Sequence, residues 1–111
     1  MKAKKITDAD VYALTSMIPE GRVGTYGDLA KALGVPGASR LVGSFLHVNP
    51  HAPKVPCHRV VHSDGRIGGY AKGVKKKIEM LSSEGVEIRD NSIVDFERVR
   101  FREFSKPSSK V

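Results

Sequence analysis

The sequence predicts a mainly α domain with short β-hairpins, of the winged-helix-like helix-turn-helix class. Three observations carry this expectation. Two short helical patterns, near residues 25–33 and 38–48, flank a tight glycine-containing turn. Short apolar stretches further along alternate around turn residues, as hairpin strands do. The length, 111 residues with 40% hydrophobic and 28% charged, suits a single globular domain rather than a disordered chain.

Taken in order, Val11, Leu14 and Ile18 recur at helical spacing and predict an amphipathic helix over 8–18, ended by Pro19. Glu20-Gly21-Arg22 reads as a turn. Thr25 followed by Asp28 has the form of a capping box, opening a short helix through Leu29, Ala30 and Leu33. Gly34 closes it, and Val35-Pro36-Gly37 is a tight connection. The next helix is expected over 38–48, with Leu41, Phe45 and Val48 facing inward and Val42 and Leu46 beside them. Arg40, Gly43, Ser44 and His47 share the other face, which is small and polar with one long cation at its start. Glycine inside a helix costs about 1 kcal/mol relative to alanine, so this face is expected to meet something closely. Two packed surface helices with no special use are the plain alternative.

Pro50, Pro53 and Pro56 exclude helix from 49–56. Residues 60–62 and 66–67 flank Ser63-Asp64-Gly65 and suggest a small hairpin. Val74, Ile78 and Leu81 mark a last helix ended by Gly85, and 86–88 with 93–94 suggest a second hairpin around 89–92. The expected organisation is one domain over 1–96 and a basic, flexible tail over 97–111.

The net charge of +7 is concentrated in the middle of the chain. Residues 22–77 hold ten Lys/Arg against two acids, Asp28 and Asp64, whereas the remainder holds nine bases against ten acids. Such a segment offers an electropositive surface to a polyanion, a solvated basic face being the plain alternative. Trp is absent and only seven residues are aromatic, which weighs against a single-strand stacking platform. One cysteine excludes an internal disulfide, and no apolar run suits a membrane span or signal sequence. The chain therefore reads as intracellular (cytoplasmic, or nuclear in a eukaryote), soluble and monomeric, with no membrane partner.

The sharpest chemical constellation is Val55-Pro56-Cys57-His58-Arg59-Val60-Val61. A lone cysteine is ordinarily a small buried core residue. Here it sits where a proline loop meets a strand, beside His58 and Arg59, whose positive charge would favour a thiolate. Tyr26, Asn49, Tyr70 and Glu84 in the flanking segments are polar groups that would serve it. His47, His51, Cys57, His58 and His62 also invite a zinc reading, but one cysteine and these spacings match no closed structural site.

Pro56-Cys57-His58-Arg59-Val60 resembles the active-site signature of the O6-alkylguanine–DNA alkyltransferase family. The resemblance runs from about Asp8 to Ile88 and takes in Thr25-Tyr26-Gly27-Asp28-Leu29-Ala30, Ser39-Arg40-Leu41-Val42-Gly43, Asn49-Pro50, Gly68-Gly69-Tyr70 and Ser83-Glu84-Gly85. It implies a DNA repair protein that docks a helix-turn-helix on the minor groove of duplex DNA containing O6-alkylguanine. The recognition helix would be 38–48, with Ser39, Arg40, Gly43, Ser44, His47, Thr25 and Tyr26 at the DNA. Arg40 would fill the space left by the flipped nucleotide, since an alkyl group on O6 is otherwise inside the stack. Cys57 would attack the alkyl carbon as a thiolate, with His58, relayed through a water to Glu84, taking its proton. Tyr26 would donate to the departing guanine, and Asn49 would brace the turn holding the cysteine. Pro56, Arg59, Val60, Ser63, Gly69 and Tyr70 are expected around the substrate base. No cofactor or metal is implied, and the permanent thioether makes the reaction single-turnover.

Typical family members carry a separate N-terminal domain ahead of this region, whose absence would bear on stability rather than chemistry. Ala71 and Lys72 stand where the family often has a small polar residue and glycine, which would alter the pocket lip. The basic tail beyond Ile88 has no counterpart. Alkyltransferase-like proteins, which hold the lesion for another pathway and other repair proteins, are the near relative. Their usual mark is loss of the acceptor cysteine, commonly to tryptophan, whereas here Cys57 is present and Trp absent. A plain helix-turn-helix regulator is the remaining alternative.

Overall fold

The computed structural model of the chain describes residues 6–104. Its elements in order are α1 (Asp8–Thr15), β1 (Gly24–Thr25), α2 (Tyr26–Ala32) and α3 (Ser39–His47). A 3-10 turn over Cys57–Arg59 leads to β2 (Val60–Val61), α4 (Val74–Ser83), β3 (Ile88–Arg89), β4 (Ser92–Ile93) and α5 (Phe96–Val99). The class is the one expected, mainly helical with short strands.

Sequence-local chemistry sets most boundaries. Thr7 opens α1 with a reciprocal capping box to Asp10, which satisfies two otherwise orphaned backbone groups. At α2 only half of the expected box forms. Thr25 Oγ1 accepts from the Asp28 amide at 2.9 Å, while the Asp28 carboxylate turns to Arg100. Gly34, at φ 85°, ends α2 in the left-handed conformation that glycine adopts without strain. In α3 the inward residues are Val42 and Leu46, both buried. Leu41 and Val48, expected inside, are instead 45% and 66% exposed. The true inward stripe is rotated by about one residue from the expected one.

The strand pairing also differs from expectation. Val60 and Val61 pair in parallel with Gly24 and Thr25, not with 66–67. The turn at 63–65 does close, through Gly65 N to His62 O and His62 N to Arg66 O, but Arg66 bridges onward to Ser92. The 88–93 hairpin forms as expected, tightened to a two-residue loop in which Asp90 and Asn91 both have positive φ, as a type I′ turn requires.

The β1–β2 pair lies between two apolar clusters, and strand alternation sends successive residues to opposite sides. Val60 packs with α1, α2 and α3, whereas Val61 packs with Val23, Ile67, Leu81, Val86, Ile93 and Val99. Residues 97–104, expected to begin a flexible tail, belong to the fold. Val99 is buried, Phe101 hydrogen-bonds Val23 through its amide, and Phe101 and Phe104 pack on the core. Gly24 makes room for this segment, since a Cβ there would sit 2.8 Å from Ile18 Cδ1 and 3.2 Å from Phe104 Cζ. The remainder of the expected tail, 105–111, lies outside the described residues.

Candidate active site

The loop 49–56 carries Cys57 to the end of α3 and is held there by one side chain. Asn49 Nδ2 donates to Val55 O at 2.9 Å, and Asn49 Oδ1 accepts from the His51 amide at 2.9 Å. The Cys57 amide then donates to Val55 O, which starts the 3-10 turn. Because that turn feeds directly into β2, the cysteine is fixed to the central strand pair.

Cys57 is a buried free thiol on the floor of a cavity of about 150 Å³. That space is room for several water molecules beside the thiol, and it is open to solvent on one side. Tyr26, Gly43, Leu46, His47, Gly69, Tyr70 and Ala71 complete the lining. An adjoining open groove of about 390 Å³ is lined by Tyr26, Gly27, Ser39, Arg40, Gly43, His62 and Ser63. Tyr26 and Gly43 belong to both, so the exposed side of α3 and the thiol share one wall. Burial, then the nearby Cys57 charge, raises the pKa of both Tyr26 and Tyr70.

Behind the thiol lies a hydrogen-bonded cluster. His58 Nε2 meets Glu84 Oε2 directly at 2.9 Å, so no water lies between them, contrary to the relay expected there. Arg59 grips the same carboxylate through Nε and Nη2, each at 2.9 Å, and donates Nη1 to Ile18 O. The His58–Glu84 contact has ion-pair length, yet burial holds the imidazole below its ordinary pKa, outweighing the hydrogen bond to Glu84. With Arg59 already balancing Glu84, His58 is neutral at pH 7. Burial alone would raise the Glu84 pKa, but hydrogen bonds from Arg59 and then His58 lower it. Nε2–H therefore donates to the carboxylate, leaving Nδ1 as the lone-pair nitrogen. Nδ1 is buried and has no hydrogen-bond partner among the described residues.

Several expected site residues fall elsewhere. Arg59 points to Glu84 and Ile18, not into the cavity, and Pro56 and Val60 are buried behind it. Thr25 is fully buried and spends its hydroxyl capping α2, so it does not face DNA. Ser63 lines the open groove, Gly69 and Tyr70 the cavity, and Ser39 and Arg40 the groove. Ser44 is exposed on α3, its hydroxyl on Arg40 O and Leu41 O, and His47 reaches the cavity. The five candidate zinc ligands do not converge, because among the described residues no three His, Cys, Asp or Glu side chains gather as a metal site. No described helix is long and apolar enough to cross a membrane.

The sequence reading missed Lys77, within the run Lys75-Lys76-Lys77. It is fully buried, with Nζ 2.7 Å from Val60 O and 3.0 Å from Gly69 O. Its position four residues before Leu81, on the inward stripe of α4, was the available signal.

A helix-turn-helix whose second helix shares a wall with a cavity lined by a buried free thiol defines a domain of the DNA-binding class that sets a cysteine beside its second helix. Residues 7–86 match the family described as 6-O-methylguanine DNA methyltransferase, DNA binding domain, and the chain belongs to that family. A bifunctional methyltransferase/endonuclease of Picrophilus torridus is 46% identical over 94 residues, which cover 85% of this chain and 31% of that protein. The chain thus spans about a third of that relative's length. A DNA base-flipping protein of Escherichia coli is 37% identical over 91 residues, 82% of this chain and 70% of that one. Among solved structures, S. pombe Atl1 in complex with damaged DNA containing O6-carboxymethylguanine superposes with a TM-score of 0.77 at 30% identity, covering 85% of this chain and 93% of that one.

Proposed function

We propose that the protein binds duplex DNA containing O6-alkylguanine, flips the damaged nucleotide into the Cys57 cavity, and takes the alkyl group irreversibly onto the thiol. The observation that supports this most is the buried thiol lining a cavity that shares a wall with α3, next to a histidine whose Nδ1 is buried and has no partner among the described residues. α3 enters the minor groove, with Ser39, Gly43, Ser44 and His47 along the backbone and Arg40 filling the vacated stack.

In the reaction, His58 Nδ1 takes the thiol proton through a bridging water, and Glu84 holds the imidazole in the correct tautomer. Cys57 Sγ attacks the alkyl carbon in line; the S–C bond forms as the C–O6 bond breaks, and that electron pair leaves on the purine. Tyr26 donates to the ring as negative charge develops, and the proton released by the thiol balances the one guanine regains. A thiol and an O6-alkylguanine thereby become a thioether and guanine without a cofactor. Asn49 keeps the turn in register, while Gly69 and Tyr70 form the lip. The thioether is stable, so each molecule acts once, inside the cell where the DNA lies.

A second reading, lesion binding without transfer that recruits other repair proteins, is favoured by the likeness to the base-flipping protein and to Atl1. The two are separated by what becomes of the DNA. After incubation with a duplex containing O6-methylguanine, the DNA is digested to nucleosides and chromatographed. Transfer converts O6-methyldeoxyguanosine to deoxyguanosine, one per protein molecule. Recovery of all the methylated nucleoside from a tightly bound duplex would establish the sensor instead.

A further inference from the structure

We propose that Met80 is a positioning residue that sets how large an alkyl group the Cys57 cavity accepts, by giving the Tyr70 hydroxyl a weak and movable anchor. This selectivity rests on Cys57 being the acceptor. Protein interiors are close-packed, so a substituent larger than methyl fits beside the thiol only if a wall moves. Most of the walls are fixed. Leu46 is buried in the core, Gly43 is backbone of α3, and the Gly69 carbonyl accepts from Lys77 Nζ at 3.0 Å. The Tyr26 ring meets the His62 ring with centroids 5.5 Å apart, and Lys77 Nζ stands 6.0 Å from its centroid. His47 and Ala71 are exposed at the mouth.

Tyr70 is the remaining wall, large and buried. Its carbonyl accepts from the Gly73 amide at 2.9 Å, so the backbone is held and any movement belongs to the side chain. The ring meets His58 edge-on, with centroids 6.5 Å apart and planes at 70°. A buried tyrosine ordinarily gives its hydroxyl to an oxygen or nitrogen acceptor. Here the hydroxyl donates to Met80 Sδ at 3.6 Å, its one hydrogen bond among the described residues. A thioether sulfur is a weak acceptor, and the unbranched methionine side chain has three rotatable bonds. Met80 is half-buried on α4 and packs against the apolar cluster that contains Cys57 and Tyr70. The contact therefore keeps the ring against the cavity when the substituent is small and yields when it is larger. An oxygen acceptor in the same place would hold the ring in one position.

The test compares transfer to the full chain from duplexes containing O6-methylguanine and O6-benzylguanine, each rate read by intact mass in a single turnover. Met80→Gln keeps the length of the side chain and offers an amide oxygen. The benzyl-to-methyl rate ratio should then fall about tenfold, the worth of one ordinary hydrogen bond. Tyr70→Phe removes the hydroxyl and should raise the ratio. With both substitutions the ratio should equal that of Tyr70→Phe alone, because no hydroxyl remains for the glutamine to hold. A packing change caused by glutamine would persist in the phenylalanine background, so a ratio lowered equally in both backgrounds overturns the proposal. An unchanged ratio in Met80→Gln overturns it too. Should Met80→Gln fail to fold, Tyr70→Phe decides, and there an unaltered ratio overturns the proposal. Methyl transfer with an unmoved ratio refutes the anchoring alone, whereas no transfer by the wild type from either duplex refutes Cys57 as acceptor and the anchoring with it.

Discussion

Glu84 has two partners with different consequences. Toward Arg59 it is a two-pronged ion pair, and toward His58 it is an acceptor that decides which ring nitrogen carries the proton. Glu84→Gln should therefore act on stability and chemistry together. Leaving Arg59 partly buried without its anion should cost about 2 kcal/mol, read as a lower urea midpoint. Transfer should slow at least tenfold, more than that stability loss explains, because the imidazole is no longer biased toward a free Nδ1. Lys77 makes a second prediction. Its folded-state pKa of about 8 lies below the ordinary 10.5, so between these values the unfolded chain binds a proton that the folded chain has released. Stability contributed by this group is complete above 10.5 and lost as pH falls through 8. The urea midpoint should thus rise from pH 7.5 to pH 9.5, by about 2 kcal/mol in free energy, before tyrosine ionisation opposes it. Cys57, His58, Asn49 and Tyr26 were legible because neighbouring residues formed recognisable motifs. Lys77 was not, since a lysine in a basic run reads as solvated unless its place on the helix stripe is weighed. The direction of Arg59 was equally hidden, because its partner lies 25 residues away.

Among the elements, α3 invites a separation of folding from binding. Gly43 needs no special backbone conformation here, and a Cβ added to it would meet the Tyr26 ring at an ordinary 3.8 Å. Gly43→Ala should therefore stabilise the free protein by roughly 1 kcal/mol, through helix propensity, while weakening duplex binding. A lower melting temperature, or unchanged affinity, would show that the glycine is there for packing rather than for close approach of DNA. Arg40→Ala should slow transfer from duplex far more than transfer from the free modified base, because only the duplex requires the stack to be filled. The existence and order of the helices were readable from periodicity and caps. The rotation of α3 was not, because Leu41, Val42, Phe45 and Leu46 permit two adjacent stripes, and only packing against the rest of the fold, which buries Val42 and Leu46 and leaves Leu41 exposed, chooses between them. The parallel β1–β2 pair was hidden for a related reason: two-residue strands carry no periodicity, and their partners are 36 positions apart.

Across the whole molecule, the segment after α5 acts as a strap. Arg100 holds Asp28 through two bonds of 2.9 and 3.1 Å, and Arg22 holds the Val99 and Arg100 carbonyls, so the start of α2 is tied to the end of the described chain. Both side chains of the Arg100–Asp28 pair are largely buried, which makes Arg100→Ala expensive, at about 3 kcal/mol, measurable by thermal melting. Such a contact, between residues 72 apart, leaves no local trace in sequence and explains why the strap read as a tail. Charge, by contrast, was legible from composition alone. The basic middle segment should make duplex affinity fall steeply between 50 and 200 mM salt. The central claim remains that Cys57 accepts the alkyl group, and intact mass tests it most directly. After incubation with duplex DNA containing O6-methylguanine, the wild-type protein should gain a single methyl group, about 14 Da as expected for covalent capture at one nucleophile, and Cys57→Ser none. An unchanged mass in a wild-type protein that binds the lesion tightly would contradict the account.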